Sequence, residues 1–407
     1  MNKLIRRDLM VFVTACAAIG YIYSIASASI GVMLLLLTWL IYYKENNFKK
    51  ILKLNQKHFL LVFYFFLIIG LFYSLDLKQG LKDVLRFLSF LIFPLIFLTI
   101  KPFNKKEEII IIKVFVWSVM LFFLICLSNA IYRQVKFSSE GGIFNWYFFY
   151  RYDFLEIFNQ HPTYISMFSL LSISMILSKG NEIFRNITIL YLMLFLQILA
   201  IILYGSRIAY IILFLLSMIW AYKNIRKTPK QLFYYMFFII CVSIVSWNIP
   251  IVKERILFSF GYKQNYVFNN EKIIENGVPE STGRFLLWKD AIDLIVNKPY
   301  FGYGTGSAKT VLLKKYELEG HHIFYNNKYN VHNTYLELLL VGGLPLLLIY
   351  LAMLGSLAIQ AIKRSNLIIA TFFLIITLVS FTETIFRSQG VVFVAFFYCF
   401  LLSREND

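Results

Sequence analysis

Three arginines at the edges of apolar stretches could bind an anion. Arg207 and Arg387 each begin an apolar stretch, and Arg284 lies near the start of a predicted helix. A guanidinium is a forked donor that suits phosphate oxygens, and a helix N-terminus adds free N–H groups and the positive end of a dipole. Arginines that converge on one pocket could therefore hold a diphosphate without a metal ion. For each arginine alone, snorkelling to lipid headgroups is the alternative.

A histidine at the start of another predicted helix could act as a general base. His332 opens the run His332-Asn333-Thr334-Tyr335-Leu336-Glu337, which leads into an apolar stretch. An imidazole there can accept a proton from a hydroxyl group, and a structural role at a helix start is the alternative. Glu337 enters the apolar stretch and needs a partner, which an arginine or a network of sugar hydroxyls would provide.

A second group of candidates has less support from the sequence. His161 precedes Pro162 at the start of an apolar stretch, where a structural hydrogen bond is the favoured interpretation. The other second-tier residues are Arg387, Glu337, Tyr335 and Arg86.

The remaining polar clusters do not favour a metal or nucleotide site. Asp290 and Asp293 have the spacing of an ordinary solvated helix face, and the adjacent His321 and His322 lack further ligands nearby. The glycines of the 302–306 stretch have neither the GxGxxG spacing nor a preceding strand, which predicts turn glycines. We therefore expect neither a metal ion nor a cofactor.

The elements that position these residues are membrane spans. With 59% hydrophobic and only 15% charged residues, the chain is too apolar for a soluble domain of its length. The formal charge of +18 falls mostly in short runs between apolar segments, which is typical of membrane topology and not of a nucleic-acid-binding face. The chain is predicted to be an integral membrane protein that contacts lipids and no nucleic acid.

The apolar runs predict an all-α, polytopic transmembrane helix bundle. Spans of roughly 17 to 25 residues occur about twelve times in the chain. They cover approximately residues 8–24, 27–43, 58–75, 82–100, 109–132, 162–178, 186–204, 206–222, 232–249, 332–356, 366–381 and 387–402.

Basic residues indicate the orientation of this bundle. Lys and Arg concentrate in the N-terminal segment and in every even-numbered connection, with Lys78 and Lys82 as exceptions. Because short basic loops stay in the cytoplasm, both termini are predicted inside. We treat residues 1–407 as one membrane domain with a helical external insert at 250–331, between spans nine and ten, and a smaller external loop at 133–161. Two helices of the insert are expected to lie over the mouth of the bundle.

The order of these motifs resembles the O-antigen ligase and polymerase superfamily of bacterial polytopic glycosyltransferases. The plan of about twelve spans covers nearly the whole chain, and the match is strongest from Arg207 to Pro345. The matching motifs are Ser206-Arg207 opening a span, Gly283-Arg284-x-x-x-Trp288 in a loop helix, Pro299-Tyr300-Phe301-Gly302-Tyr303-Gly304, and His332-Asn333-Thr334-Tyr335-Leu336 followed by Gly342-Gly343.

The resemblance implies an enzyme of lipopolysaccharide or other polysaccharide biosynthesis. It would transfer a glycan from an undecaprenyl diphosphate carrier to a hydroxyl acceptor by metal-independent inverting displacement. The matching positions imply that Arg207 and Arg284 hold the diphosphate and that His332 is the base for the acceptor hydroxyl. The site would lie on the outer face of the bacterial inner membrane.

The acceptor differs between branches of the superfamily. Ligases use lipid A core oligosaccharide, O-antigen or capsule polymerases use the growing polysaccharide, and O-oligosaccharyltransferases use protein Ser or Thr. The His-Asn motif and the single large insert favour the ligase branch.

Two other classes of protein are alternatives to an enzyme. A flippase or transporter for a lipid-linked sugar would also use arginines in an aqueous cavity, but it would place charged residues at mid-membrane depth in several spans. Here such residues are few, and the external helical insert with Arg and His has no role in that class. A non-catalytic scaffold makes no use of the arginines at the outer face.

Overall fold

The computed structural model describes residues 3–42, 44, 46–224, 280–387 and 389–403, and within these ranges it contains helices and no strand. The all-α prediction is confirmed for this part of the chain. Short 3-10 helices run through Phe48–Leu52, Trp146–Phe149 and Glu156–Phe158. The α-helices are α1 (Lys3–Tyr23), α2 (Ile25–Ile41), α3 (His58–Ile69), α4 (Leu77–Arg86), α5 (Ser89–Thr99), α6 (Lys105–Ser139), α7 (Arg151–Phe154), α8 (Pro162–Ile183), α9 (Ile187–Tyr204), α10 (Arg207–Asn224), α11 (Glu280–Asn297), α12 (Ser307–Leu318), α13 (His322–Asn326), α14 (Thr334–Lys363), α15 (Leu367–Thr382) and α16 (Gln389–Leu401).

Most predicted spans coincide with a helix. Among the described helices, α6, α9 and α14 are long and apolar enough to cross a membrane, and α2, α3, α10, α15 and α16 contain shorter apolar stretches. The chain is thus a membrane protein with several apolar helices. The predicted span 232–249 lies outside the described residues, and the total of about twelve spans stays a prediction.

The predicted span 82–100 is wrong as a single helix. Asp76 caps α4 by accepting a hydrogen bond from the backbone N–H of Gln79 at 2.9 Å, and α4 ends at Arg86. After a turn, α5 runs for only 11 residues. At 1.5 Å per residue it reaches about 16 Å, roughly half of a bilayer core. The neighbouring predicted span, 58–75, is also shorter than expected because α3 ends at Ile69.

The chain divides into two compact units. The first contains Met1–Tyr21, Ile25–Ile111 and Asn269–Asp407, and the second contains Ile22–Ser24 and Ile112–Phe268. In the first unit, α14 packs on α3, α11 and α15, and α5 packs on α16. In the second, α8 packs on α9 and α10.

The described part of the insert is helical, as predicted. Its α11, α12 and α13 bury an apolar core with the start of α14. The interpretation of Asp290 as part of a solvated face is wrong, because its side chain is 2% exposed and its Oδ2 lies 2.7 Å from His321 Nδ1. Burial raises the pKa of the Asp290 carboxyl, and the hydrogen bond from His321 acts in the opposite direction. This pair ties α11 to the residue before α13.

A glycine turn fastens the insert to a break in α14. Pro345 lacks an N–H, so the carbonyl of Val341 has no partner within the helix, and Gly304 N–H donates to it at 3.0 Å. At Gly343 the backbone leaves the helical region with φ 62°. Gly302 and Gly304 also have positive φ values, which confirms that they are turn glycines. The turn that follows α11 therefore supplies hydrogen bonds that α14 cannot make for itself.

The smaller loop of the second unit is also ordered by polar contacts. Arg133, near the end of α6, forms an ion pair with Glu156 and donates to the carbonyl oxygen of Asp153 at 2.8 Å. Its guanidinium also lies 4.5 Å from the centre of the Phe148 ring. These contacts order the chain between α6 and α8.

Candidate active site

His332 lies immediately before α14 in an unusual backbone conformation. Its φ is 49°, a left-handed value that is uncommon for a residue other than glycine. Its N–H donates to Asn330 Oδ1 at 3.0 Å, and the next residue, Asn333, caps α14 by accepting from Leu336 N–H at 3.1 Å. Strained positions of this kind cost of order 1–3 kcal/mol and cluster at functional sites.

Glu383 joins His332 and Arg284. Its Oε2 lies 3.1 Å from Nδ1 of His332, and its Oε1 accepts a hydrogen bond from Nη2 of Arg284 at 3.0 Å. The carboxylate is largely buried, with 10% of its side chain exposed, whereas the imidazole is 31% exposed. The structure therefore brings together two of the predicted residues, and a third residue, which the sequence interpretation missed, bridges them.

Several hydrogen bonds fix the backbone segments that carry Glu383 and His332. Thr334 Oγ1 donates to the Glu383 carbonyl oxygen at 2.8 Å and accepts from Ile385 N–H at 2.9 Å. Trp288 of α11 donates from Nε1 to the carbonyl oxygen of Val331 at 3.0 Å. The end of α15, the start of α14 and α11 are thus tied together around the imidazole, as a preorganised site requires.

This arrangement fixes the chemistry of the imidazole. An ionised Glu383 accepts a hydrogen bond and so selects the Nδ1–H form of neutral His332, which leaves a lone pair on Nε2. An ionised carboxylate would also stabilise an imidazolium formed by protonation of Nε2. The geometry is therefore one that a general base and its orienting group would require. The charge of Arg284 is balanced by Glu383 in this arrangement.

Arg284 lies deeper in its helix than the sequence indicated. The helix begins at Glu280, so Arg284 is its fifth residue and stands beyond the first turn. The free N–H groups of a helix N-terminus belong to the first turn, and the expected contribution of the helix dipole at Arg284 is correspondingly smaller. Its guanidinium is engaged by the Glu383 carboxylate instead.

The charged second-tier residues of the first unit form a neighbouring cluster. Arg387 Nη2 lies 3.6 Å from Glu337 Oε1, the kind of partner predicted for this glutamate. Arg86 Nη2 lies 3.0 Å from Asp83 Oδ1 on the same helix, α4. In the sequence, Glu337 lies five residues after His332, and Arg387 lies four residues after Glu383.

Tyr335 has a structural contact. Its hydroxyl donates to the carbonyl oxygen of Thr377 at 3.0 Å, and its ring packs on Phe381 with the ring centres 4.6 Å apart. Tyr335 therefore helps to join α14 to α15.

The second unit contains the other two predicted residues. Arg207 is the first residue of α10 and follows Ser206, whose hydroxyl donates to Thr163 Oγ1 at 3.4 Å. His161 caps α8 by accepting a hydrogen bond from Thr163 N–H on Nδ1 at 3.3 Å. This contact agrees with the structural interpretation of His161, and the diphosphate-binding role of Arg207 stays a prediction.

Glu383 left only a faint signal in the sequence. It is an isolated carboxylate in a short connection between two apolar spans, four residues before Arg387. A buried acid at such a place needs a cationic partner, and Arg284 is that partner for Glu383. Within the described ranges, no three His, Cys, Asp or Glu side chains gather as ligands for a metal ion.

Fold and site together define a helical membrane protein with a histidine, a glutamate and an arginine in one polar cluster. Residues 192–351 match the O-antigen ligase family model. The resemblance to the O-antigen ligase superfamily is thereby confirmed, and the match contains Arg207, Arg284 and His332 but ends before Glu383.

One relative is a ComP-specific O-oligosaccharyltransferase of Acinetobacter baylyi (strain ATCC 33305 / BD413 / ADP1). The two chains are 23% identical over 333 residues, which are 79% of this chain and 55% of the relative. The chain thus spans about half the length of the curated relative it matches.

Proposed function

We propose that the protein is an O-antigen ligase-like glycosyltransferase that moves a glycan from undecaprenyl diphosphate to a hydroxyl acceptor. The observation that carries this proposal is the contact between Glu383 and Nδ1 of His332, at 3.1 Å. It equips a partly exposed imidazole to take a proton from a hydroxyl group. The family match and the name of the relative support glycan transfer as the reaction.

The reaction is a single displacement at the anomeric carbon. The acceptor oxygen attacks that carbon while its proton passes to Nε2 of His332, and the bond from the anomeric carbon to the diphosphate oxygen breaks. The bonding electrons leave with undecaprenyl diphosphate, so the anomeric configuration inverts. Because a diphosphate is a good leaving group, no general acid is required.

The cationic side chains stabilise the charge that gathers on the leaving group. Arg207 keeps the diphosphate-binding role that the family resemblance implies. Arg284 contributes through Glu383, whose carboxylate it holds in place. Electrostatic stabilisation of a developing negative charge is typically a larger contribution than base catalysis, which gives about 10²- to 10⁴-fold.

Two acceptors are proposed. Lipid A core oligosaccharide is favoured by the His332-Asn333 motif and the single large insert. A protein hydroxyl is the second candidate, and it is favoured by the relative, whose name describes an O-oligosaccharyltransferase specific for ComP.

The proposed location is the bacterial inner membrane, with both termini in the cytoplasm. Residues 250–331 would then be external, and the site would open on the outer face. Positive charge in the even-numbered connections supports this orientation.

A reconstituted assay separates transfer from transport. Purified protein in liposomes receives undecaprenyl diphosphate carrying a labelled glycan, together with either core oligosaccharide or an acceptor protein. The proposal predicts that label becomes covalently attached to one of the acceptors. Movement of the label across the bilayer without attachment to either acceptor would identify a flippase and contradict it.

A further inference from the structure

The positive charge of Arg284 is balanced by its partner, whereas the charged cluster beside it carries an excess of positive charge. Arg284 has the Glu383 carboxylate as its partner at 3.0 Å. In the neighbouring cluster, the cations Arg86, Lys309, Lys328 and Arg387 stand against the carboxylates Asp83 and Glu337. That difference leaves an excess of positive charge, which favours an anion.

Lys309 is brought to this cluster by the packing of α12 on α4. Ser307, the first residue of α12, accepts a hydrogen bond from Leu75 N–H at 2.5 Å, and Thr310 donates to Asp76 Oδ2 at 3.3 Å. Lys309 lies between these two residues, in the first turn of α12, where the helix dipole adds positive potential. Both contacts lie at the start of α4, the helix that carries Arg86.

The cations of the cluster repel one another. Burial and the positive charges of Arg387, Lys328 and Arg86 lower the pKa of Lys309, and the charge of Asp83 opposes them. A half-buried ammonium held among like charges is costly unless an anion joins it. The arrangement is therefore one that a bound anion stabilises.

The ion pair at the centre of the cluster is incomplete. Arg387 and Glu337 approach only to 3.6 Å. Within the described part of the chain, Arg387 Nε and Glu337 Oε2 are buried without a hydrogen-bond partner. A buried donor without a partner is unfavourable. Arg387 thus retains a donor for a further acceptor.

The same helix, α4, presents an apolar face that suits lipid. Leu77, Leu81 and Leu85 recur at helical spacing and are 57%, 55% and 66% exposed. Such a helix lies in the membrane interface with its leucines among the acyl chains. Asp83 and Arg86, on another side of α4, belong to the charged cluster. An anion at this place is therefore next to the region where the tail of an amphiphile would lie.

We propose that Lys309, Arg387 and Arg86 form a phosphate subsite for the diphosphate of the lipid-linked donor, with the tail of the donor along the leucines of α4. Arg284 is then a positioning residue for Glu383. This inference rests on the proposed function for the identity of the donor. A phosphate could also come from a bilayer phospholipid or from the acceptor, and the test distinguishes these sources.

The test measures binding of fluorescent undecaprenyl diphosphate without a sugar to the full chain in phosphatidylcholine nanodiscs. Lys309→Gln should weaken binding by about tenfold, the scale of a lost charge-assisted hydrogen bond. Lys309→Arg, which keeps the charge, should bind like the parent. Lys314→Gln is the matched control, because Lys314 is an exposed lysine on the same helix. Thermal unfolding of each variant reports whether its fold is retained.

The outcomes separate this inference from the proposed function. Equal probe binding by the parent and a folded Lys309→Gln variant would overturn the subsite while leaving glycan transfer intact. Displacement of the probe by phosphatidylglycerol at matching concentration would assign the subsite to bilayer headgroups. That result would also overturn the proposal of a donor subsite. If Lys309→Gln raised the KM for the acceptor and left the KM for the donor unchanged, the subsite would bind the acceptor, and the proposal would be overturned. If the parent neither bound the probe nor transferred glycan, both proposals would fall.

Discussion

Glu383 contacts both His332 and Arg284, and the two contacts have different consequences. One carboxylate oxygen lies 3.1 Å from His332 Nδ1 and can fix the tautomer of the imidazole. The other lies 3.0 Å from Arg284 Nη2 and balances the charge of the guanidinium. Because Glu383 is largely buried, its charge is poorly screened by water, so both contacts are stronger than they would be at the surface. Loss of the charge at Glu383 should therefore weaken catalysis by His332, although the imidazole itself remains.

We expect Glu383→Gln to lower kcat for glycan transfer by about 10²-fold, the lower end of the range for a positioned base. The KM for the donor should not change, because Glu383 does not contact the diphosphate in the proposed mechanism. Glu383→Asp should restore part of the activity, which a merely structural role would not predict. Glu317→Gln, on an exposed face of α12, is the control. A parental kcat for Glu383→Gln would contradict the positioning role.

At this scale the sequence predicted the types of the residues better than their contacts. His332 and Arg284 could be identified because each lies in a short motif near a predicted helix start. Their partner Glu383 is 51 residues beyond His332, and no local periodicity connects the two. Asp290 has the spacing of a solvated face but is buried, and its partner His321 lies 31 residues further along the chain.

The break in α14 is the element that positions the insert. Gly343 interrupts the helix, and the turn after α11 enters the gap: Leu344 N–H donates to the carbonyl oxygen of Pro299 at 3.0 Å. A Cβ on Gly343 would lie 2.6 Å from the backbone nitrogen of Phe301, a distance that real structures do not tolerate. The turn therefore depends on glycine at this position for conformation and for space.

Gly343→Ala should destabilise the fold by about 1–3 kcal/mol, since it adds backbone strain and a steric clash. The matched control is Gly355→Ala on the same helix, where an added Cβ would meet nothing within 4 Å. This control should be neutral or stabilising by up to about 1 kcal/mol because alanine is the better helix former. Thermal unfolding in detergent compares the two variants. Equal midpoints for Gly343→Ala and Gly355→Ala would show that the packing of the turn on α14 does not contribute to stability.

Elements were predictable to different degrees. The positions of α2, α9 and α15 follow from their apolar runs. The division of 82–100 into α4 and α5 could not be predicted from the apolar run, because the leucines of α4 face outward and prolong that run. Lys78 and Lys82, the exceptions in the charge pattern, are exposed on α4 together with these leucines.

The whole molecule combines two units that carry different parts of the family match. Arg207 lies in the second unit, and Arg284 and His332 lie in the first. The match covers residues 192–351 and contains all three. Glu383 and Arg387 lie beyond it, in the connection between α15 and α16. The site of the first unit is therefore built from matched residues together with a segment that the match does not reach.

Composition was sufficient to predict a helical membrane protein, because 59% hydrophobic residues cannot be buried in a soluble chain of 407 residues. The number of spans and their orientation depend on weaker signals, the lengths of apolar runs and the distribution of basic residues. The polar contacts that join α11, α14 and α15 have no such signal and required the three-dimensional structure.

The most direct test of the central claim is the single-turnover rate of glycan transfer by His332→Ala, measured with saturating undecaprenyl diphosphate glycan. If His332 is the base, the rate should fall by about 10²- to 10⁴-fold, while binding of the donor and the thermal midpoint stay at parental values. A folded His332→Ala protein that transfers glycan at the parental rate would contradict the assignment of His332 as the base.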